Sequence, residues 1–302
     1  MEIAIDCGYG HVKTLTSGGG RHEFPSIVQP WTADGLADGL RGVVELEGRR
    51  VIVGQRAQGG KPLTNDDFHG GFEWRCLLAA ALGRVCAEAG RSVLEVDRLG
   101  LGLPYAQNRS EVRQRISGVR DLAFSIDGEP HHAVVRSVTV LPQGAAVLAG
   151  CECESVGVVD IGYYTIDMVL MIGGELVSAG SWSAPEGAHT VYKRLDRLLN
   201  ARVGRSGFGF DVLRRVLETW QIRIGGRTVD LTEDVQCVLG DYASTVDRVV
   251  RDQWGSQVDL VEKVIVAGGG AELLRGRLPE IYEIHPDPQF ANVHGYLAAI
   301  SA

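Results

Sequence analysis

EIAIDCGYGHVK (residues 2–13) is the most informative stretch of the sequence for the fold. Apolar residues lead to Asp6, Gly8 and Gly10 enclose a tyrosine, and a lysine closes the stretch. The pattern predicts a short buried β-strand over residues 3–5 that ends in a tight turn. Glycines let a turn adopt positive φ and let successive N–H groups point at one anion, so the turn is a candidate phosphate site. Taken alone, the stretch is explained equally well by a plain β-turn with a surface lysine.

The second half of the chain repeats this arrangement. VVDIGYYTID (residues 158–167) again contains a strand that ends in Asp-x-Gly, here Asp160 and Gly162, followed by a second β segment. Thr165 offers a hydroxyl to a phosphate, and Asp167 is a second acid. Two copies of one β-rich unit that face each other would place the two turns across a cleft.

A third glycine turn lies in VAGGGAEL (residues 266–273). A flat base or sugar can lie against bare glycine backbone at such a position. A flexible loop explains a Gly-Gly-Gly run by itself, but three such turns in this order favour a nucleotide site.

Strand and helix periods alternate along the chain, which indicates an α/β fold. VVELEGRRVIVG (residues 43–54) predicts a β-hairpin around a Glu-Gly turn. Helices are predicted, several with a closing glycine, over residues 73–90, 111–118, 189–204, 211–220 and 231–254. GAAVLAG (residues 144–150) predicts a helix of small residues, and a solvated loop is expected at residues 131–132.

Bulk composition narrows the class of protein. A chain of 302 residues exceeds one typical domain, so two domains or a doubled fold is expected. A net charge of −8 argues against sequence-independent nucleic-acid binding, which needs a positive surface. Six cysteines are too few for a disulfide framework in a chain of this length. Cys151 and Cys153 could form half of a zinc site, but the sequence has no second cysteine pair or histidine cluster to complete it. Without a signal-like N-terminus or a long apolar run, we expect a cytoplasmic protein that does not enter membranes.

The motifs resemble those of the actin, heat-shock-chaperone and sugar-kinase superfamily, and in detail the ParM/StbA group of plasmid-segregation actins. The resemblance spans nearly the whole chain and rests on IDCGYGHVK (5–13), FPSIVQP (24–30), VLPQGAAVLAG (140–150), VVDIGYYTIDM (158–168), VIVAGGGAELL (264–274) and PDPQFANVHGYLAAI (286–300). It implies duplicated ribonuclease-H-like domains around a nucleotide cleft. Residues 140–150 would include the first connecting helix.

The resemblance also implies domain ranges. Domain I would comprise residues 1–145, with residues 286–302 returning to it and a small subdomain at 31–67. Domain II would comprise residues 146–285, with a small subdomain at about 191–254. The chain is short for an actin, so both small subdomains should be reduced.

By resemblance, ATP or GTP would bind with Mg²⁺. Asp6 and Asp160 would hold the ion through its waters, Lys13 would meet the β/γ oxygens, and Gln143 would orient the attacking water. The expected nucleotide contacts are Gly8, Tyr9, Gly10, Lys13, Gly162, Tyr163, Tyr164, Thr165, Gly187, Gly268, Gly269, Gly270 and Glu272, with Glu218 for the base or ribose.

Tyr9, Tyr163 and Tyr164 depart from the family pattern, which usually has small or hydroxyl residues there. They put the phosphate contacts of both turns in question.

The implied function is a filament-forming ATPase that pushes or positions plasmid DNA through a DNA-bound adaptor protein. Its partners would be other copies of itself and the adaptor, with no direct contact to nucleic acid or membrane. One alternative is a small-molecule kinase of the same fold, for which Asp66 and Asp67 offer a base. The other is a scaffold that binds nucleotide without hydrolysing it.

Overall fold

The structure is a computed structural model that describes residues 1–32, 42–57, 60, 62, 67–149, 151–204 and 207–302. The chain divides into two compact units. Unit 1 comprises Met1–Glu152 and Gln289–Ala302, and unit 2 comprises Cys153–Pro288. The chain therefore changes units after Glu152 and Pro288, whereas the expected ranges change after residues 145 and 285. The two small subdomains stay predictions, and residues 33–41 of the first lie outside the described residues.

The described residues form six α-helices and 17 β-strands. The helices are α1 (Phe72–Ala89), α2 (Ser110–Ser117), α3 (His189–Val203), α4 (Phe210–Thr219), α5 (Thr232–Trp254) and α6 (Ala291–Ser301). The strands of unit 1 are β1 (Glu2–Cys7), β2 (His11–Thr16), β3 (Arg21–Pro25), β4 (Val28–Pro30), β5 (Val43–Leu46), β6 (Arg49–Val53), β7 (Val93–Leu103), β8 (Asp121–Ile126) and β9 (Glu129–Pro142). Those of unit 2 are β10 (Val156–Ile161), β11 (Ile166–Ile172), β12 (Glu175–Leu176), β13 (Trp182–Ala184), β14 (Gln221–Ile224), β15 (Arg227–Asp230), β16 (Lys263–Ala267) and β17 (Tyr282–Ile284).

Unit 1 contains one nine-stranded sheet in the order β3-β2-β1-β7-β9-β8-β5-β6-β4. β1 pairs antiparallel with β2 and parallel with β7, which in turn pairs parallel with β9. Ile3–Ile5 of β1 is buried without interruption, as expected for a strand inside a sheet that is covered on both faces. The turn after β1 is thereby attached to the rigid centre of the unit.

Helices α1 and α6 pack on this sheet. Gly90 ends α1 in the left-handed conformation at φ 62°, and its N–H donates to the carbonyl of Ala87, as the sequence predicts. Helix α6 approaches β7 closely because Gly102 has no side chain; a Cβ there would collide with the Tyr296 ring. The C-terminal helix therefore belongs to unit 1, although it begins at Ala291 and β1 ends at Cys7.

Unit 2 repeats the central order with β12-β11-β10-β16-β17, and β13 also pairs with β11. β10 pairs antiparallel with β11 and parallel with β16, which pairs parallel with β17. In both units the first strand therefore lies between its hairpin partner and a parallel strand from later in the chain. This common order confirms the predicted α/β fold with a duplicated unit.

Two predictions about local structure differ from the structure. The helix predicted over residues 144–150 is, in the described residues, a short 3₁₀ helix over Ala145–Leu148, preceded by Gly144 at φ 79°, which is outside the helical region. The small residues serve close packing instead, because a Cβ on Gly295 of α6 would strike the Ala146 backbone. His131 and His132 lie on β9, where His131 stacks on Phe124, and not in a loop.

None of the helices in the described part of the chain is long and apolar enough to cross a membrane.

Candidate functional site

Asp6 and Lys13 form a buried ion pair at the end of β1. They are opposite each other in the antiparallel register of β1 and β2, and Lys13 Nζ lies 3.0 Å from Asp6 Oδ2. Their residues are only 3% and 9% exposed. A buried charge needs a partner, so the lysine compensates the carboxylate in this structure. Whether Lys13 also meets phosphate oxygens stays a prediction.

Gln143 completes this cluster from the end of β9. Its Nε2 donates to Asp6 Oδ1 over 2.9 Å, and its own backbone N–H donates to the carbonyl of Leu103 over 2.8 Å. The next residue is also fixed, because the Gly144 N–H donates to Oδ1 of Asn292 on α6. The side-chain amide is therefore oriented by Asp6, and its Oε1 is the atom suited to accept a hydrogen bond from water.

The first glycine turn, Gly8–Gly10, is attached to Ser26. The Ser26 hydroxyl donates to the Gly8 carbonyl over 2.5 Å, and the Ser26 N–H donates to the Gly10 carbonyl over 2.9 Å. The sequence FPSIVQP (24–30) gives no local sign of this role for its serine. The bonds from one residue to both ends of the turn restrict a glycine-rich segment that would otherwise be mobile.

The side chain of Tyr9 lies inside unit 1, packed on Phe68 and His69. The ring is therefore used to pack the turn, so only the backbone of Tyr9 is left as a proposed nucleotide contact. Burial also lowers the pKa of His69 to about 4, against smaller opposing effects of its hydrogen bond to Gln107 and the charge of Asp6.

In the second turn, Asp160 is the next-to-last residue of β10, as Asp6 is of β1. It is 4% exposed and opposite Asp167 in the β10–β11 register. Asp167 accepts hydrogen bonds from Thr165 Oγ1 at 2.8 Å and from Ser183 Oγ. Sequence reasoning missed Ser183, and it gave the Thr165 hydroxyl to a phosphate. In the structure that proton goes to Asp167, because a buried carboxylate needs hydrogen-bond donors.

Tyr163 packs on the helices that follow the second turn. Its ring lies 5.8 Å from Tyr192, 5.7 Å from Phe210 and 6.2 Å from His189, measured between centroids. Burial, followed by the neighbouring Tyr192, raises the pKa of Tyr163, so the phenol stays protonated at neutral pH. Tyr164 is half-buried and lies 5.4 Å from the His189 ring. The Tyr163 ring thus packs within unit 2, so here too only the backbone of the residue is left as a proposed nucleotide contact.

Gly187 lies against the second turn, two residues before α3 begins. Its N–H donates to the Tyr164 carbonyl, while the N–H groups of Ala188 and His189 donate to the carbonyls of Gly162 and Tyr163. A side chain at Gly187 would collide with this turn. The start of α3 therefore uses the turn carbonyls as acceptors for its N–H groups.

The three glycines after β16 have different surroundings. Gly268 has φ 84° and a Cβ there would strike Asp160, while a Cβ on Gly270 would strike Ile161. Gly269 between them is exposed. Gly268 and Gly270 thus allow this turn to pack against the end of β10, and Gly269 is the residue with backbone open to a ligand.

Two predicted acidic contacts are on the surface. Glu272 is exposed and pairs with Arg275 at 2.8 Å and 3.0 Å. Glu218 on α4 is exposed and lies 4.0 Å from Arg214. Neither is buried among the residues of the two turns, and their roles stay predictions. Of the pair offered for a kinase, Asp67 is exposed and Asp66 lies outside the described residues.

The carboxylates suit a cation that keeps its water shell. Among the described residues, no group of three or more His, Cys, Asp or Glu side chains is placed to hold a metal ion. Mg²⁺ prefers one or two carboxylates together with waters and phosphates, so the lack of a protein cage is compatible with it. Asp6 contacts Lys13 and Gln143, and a carboxylate accepts about four hydrogen bonds, which leaves capacity for metal-bound water.

The fold and these paired turns define a class: two-unit α/β proteins with ribonuclease-H-like sheets. "Actin like proteins N terminal domain" matches residues 4–145, and "Archaeal actin homologue MreB-like, C-terminal" matches residues 158–280. The chain belongs to the actin-like protein family.

Individual relatives extend over the whole chain. An archaeal actin homolog of Thermoplasma volcanium is 26% identical over 324 aligned positions, covering 98% of this chain and 97% of its own. The crystal structure of an archaeal actin homolog has a TM-score of 0.84 at 24% identity, covering 100% of this chain and 99% of its own; that homolog is also known in complex with ADP. A 15-stranded ParM filament from Clostridium botulinum has a TM-score of 0.82 at 21% identity, covering 100% and 99%. The predicted resemblance to actin-like proteins is confirmed, and the likeness to the ParM filament protein is one of fold.

Proposed function

We propose that this protein is a nucleotide-dependent, filament-forming actin-like ATPase of the cytoplasm. The observation on which the proposal rests is the buried Asp6–Lys13–Gln143 cluster at the end of β1. A buried charge pair is costly to assemble, and here it fixes an amide in one orientation beside a glycine turn. This is an arrangement suited to placing water near a phosphate.

The proposed roles follow from the chemistry of these side chains. Lys13 and the backbone of Gly8–Gly10 receive phosphate oxygens in unit 1, and the backbone of Gly162–Tyr164 does so in unit 2. Asp6 and Asp160 would hold Mg²⁺ through its coordinated waters, and the ion would neutralise phosphate charge. The Oε1 of Gln143 accepts a hydrogen bond from the attacking water and orients it; a neutral amide is too weak a base to remove its proton, so hydrolysis is slow.

Further contacts are proposed for the rest of the nucleotide. Gly187, Gly269 and the neighbouring glycines Gly268 and Gly270 offer backbone to the sugar and base. The relative that binds ADP and the ParM filament support nucleotide binding and self-assembly by analogy. A head-to-tail contact between copies would be heterologous and would extend without closing.

The cellular task we propose is segregation of plasmid DNA through an adaptor protein. The negative net charge of −8 supports an indirect link to DNA, because direct non-specific binding needs a positive surface. A membrane partner is not part of the proposal.

The first test uses the purified chain with Mg²⁺ and ATP or GTP, and no other substrate. We expect slow phosphate release and a polymer that sediments with triphosphate and less with diphosphate. Release of phosphate without an acceptor separates an ATPase from a kinase. A chain that binds ATP but releases no phosphate is the non-hydrolysing scaffold, and absence of polymer with both nucleotides rejects filament formation.

The second test is Gln143→Ala. It should leave nucleotide affinity within about twofold and slow phosphate release about 10²-fold, the order expected for a residue that positions water. Gln221→Ala, at an exposed position on β14, is the matched control and should behave like the wild type. Equal release rates in Gln143→Ala and the wild type would remove the proposed role of Gln143.

A further inference from the structure

Tyr9, the middle residue of the first glycine turn, is buried to 4% exposure. Its ring stacks on Phe68 with centroids 4.9 Å apart and meets His69 edge-on at 5.1 Å. A buried phenol hydroxyl needs a hydrogen-bond partner inside the protein. The hydroxyl of Tyr9 therefore has to be accounted for within unit 1.

A hydrogen-bonded chain leads from this hydroxyl to a histidine. Gln107 Nε2 donates to Tyr9 Oη over 2.7 Å, and Gln107 Oε1 lies 2.7 Å from His69 Nδ1. The amide oxygen can only accept, so His69 Nδ1 must hold the proton that it donates. The three residues come from three separate segments: the glycine turn, the 3₁₀ helix Tyr105–Gln107 after β7, and the segment just before α1.

The hydrogen-bonded chain of Tyr9, Gln107 and His69 lowers the stability of the folded protein. His69 is buried, its low pKa keeps it neutral, and its Nε2 has no partner among the described residues. An unsatisfied buried acceptor is destabilising, because it has lost its hydrogen bonds to water. An apolar ring at position 69 would avoid that cost and still pack on Tyr9. What an apolar ring could not do is donate to Gln107 Oε1 and so orient the Gln107 amide.

The same turn is also held at both ends by Ser26. Ser26 donates hydrogen bonds to the carbonyls of Gly8 and Gly10, and Gln107 donates one to the Tyr9 hydroxyl. All three residues of the turn are therefore attached to the rest of unit 1. Fixing a glycine turn before a ligand arrives lowers the entropy lost on binding. The polar chain is thus located where it preorganises the candidate phosphate site.

We propose that His69 and Gln107 are positioning residues for nucleotide binding, which act through the Tyr9 hydroxyl to hold Gly8–Gly10 in the conformation that receives phosphates. The inference rests on the proposed function, and it goes further by naming residues that touch no nucleotide. The ligand chemistry that they serve is the anionic di- or triphosphate group. Recognition of the nucleoside part does not depend on them.

The experiment measures the affinity of the full chain for ATP, ADP and adenosine in Tyr9→Phe, Gln107→Met, His69→Leu and His69→Asn. Losing one buried hydrogen bond should weaken ATP and ADP binding about fivefold in the first three variants. Adenosine binding should stay within about twofold, because it has no phosphate. His69→Asn should recover most of the affinity lost in His69→Leu, because the asparagine amide can donate from the Nδ1 position.

The double variant Tyr9→Phe/Gln107→Met should bind ATP no more weakly than the weaker of its single variants, since both interrupt one chain. Tyr282→Phe is the matched control: it removes a hydroxyl bond to Asp247 of 2.9 Å in unit 2 and should leave ATP affinity unchanged. The thermal midpoint of every variant is measured alongside, which separates loss of folding from loss of binding.

Each outcome decides between the two proposals. A wild-type chain that binds adenosine nucleotides with no gain from their phosphates overturns the proposed function and this inference with it. Normal wild-type binding together with unchanged ATP affinity in Tyr9→Phe and Gln107→Met overturns the inference alone. Equal losses for ATP and adenosine also overturn it, because they show general damage to the unit.

Discussion

Lys13 lies opposite Asp6 across β1 and β2, with Nζ 3.0 Å from Oδ2, while the corresponding pair in unit 2 is Asp160 and Asp167. The same cross-strand position thus holds a cation in one unit and a second acid in the other. In unit 2, hydroxyl groups of Thr165 and Ser183 take over part of the compensation. The hairpin is thus the same in both units, but its buried acid is compensated by a lysine in unit 1 and partly by hydroxyl groups in unit 2.

The first prediction concerns the ion pair. Lys13→Met leaves the buried Asp6 carboxylate without its cation, so we expect the free energy of unfolding to fall by about 3–5 kcal/mol. Asp6→Asn/Lys13→Met removes both charges and should recover most of that loss. Urea unfolding at pH 7 measures all three chains.

Lys263→Met is the matched control for the ion pair. Lys263 pairs with Glu283 at 2.8 Å, but both side chains are partly exposed, at 33% and 58%. Water screens such pairs, so the expected change is below about 1 kcal/mol. A similar effect of the two lysine substitutions would show that burial does not determine the strength of the Lys13 pair.

The second prediction separates neighbouring glycines. Gly268→Ala combines a residue at φ 84° with a Cβ that collides with Asp160, so we expect a loss of about 2 kcal/mol or more. Gly269→Ala is at an exposed position and should change stability by less than about 1 kcal/mol. Thermal unfolding of the two variants tests this, and equal midpoints would contradict the packing role of Gly268.

Local sequence was sufficient for the parts of the fold that depend on neighbours in the chain. The hairpin at residues 43–54 and the helix ended by Gly90 follow from turn and capping chemistry. The repeat of Asp-x-Gly identified the two units, because each copy ends a buried strand. These features are set within a few residues of each other.

The rest depended on distant contacts. Gln143 is 137 residues from Asp6, and no local pattern shows that its amide is held by that carboxylate. Thr165 lies two residues from Asp167 and donates to it, but only the fold adds the Ser183 hydroxyl to the same buried acid. No sequence pattern marks His69 as buried, because a histidine before Gly-Gly is equally typical of a surface loop.

The third prediction tests the hydroxyl groups on Asp167. Ser183→Ala removes a donor to a carboxylate that is 1% exposed, so we expect a loss of about 1.5–3 kcal/mol, as for bonds to charged groups. Ser183→Ala in an Asp167→Asn background should cost less, because the acceptor is then neutral. Guanidinium unfolding of the four chains of this cycle gives the coupling energy, and a coupling of zero would contradict the hydrogen bond.

The fourth prediction is a pH dependence of stability. Burial lowers the pKa of His69 from 6.5 to about 4 in the folded chain, whereas the unfolded chain keeps the ordinary value. Between these two values the unfolded state binds a proton that the native state does not, so the free energy of unfolding falls as the pH falls. The stability is complete above pH 6.5, and about 2 kcal/mol is lost by pH 5.

Urea unfolding of the wild type and His69→Asn at pH 7 and pH 5 tests this directly. Asparagine does not titrate, so the variant should lose about 2 kcal/mol less than the wild type between the two pH values. The contributions of all other titrating groups to the pH dependence cancel in this comparison, because the two chains differ only at position 69. Identical losses in the two chains would show that His69 is not the buried neutral group that the structure places beside Gln107.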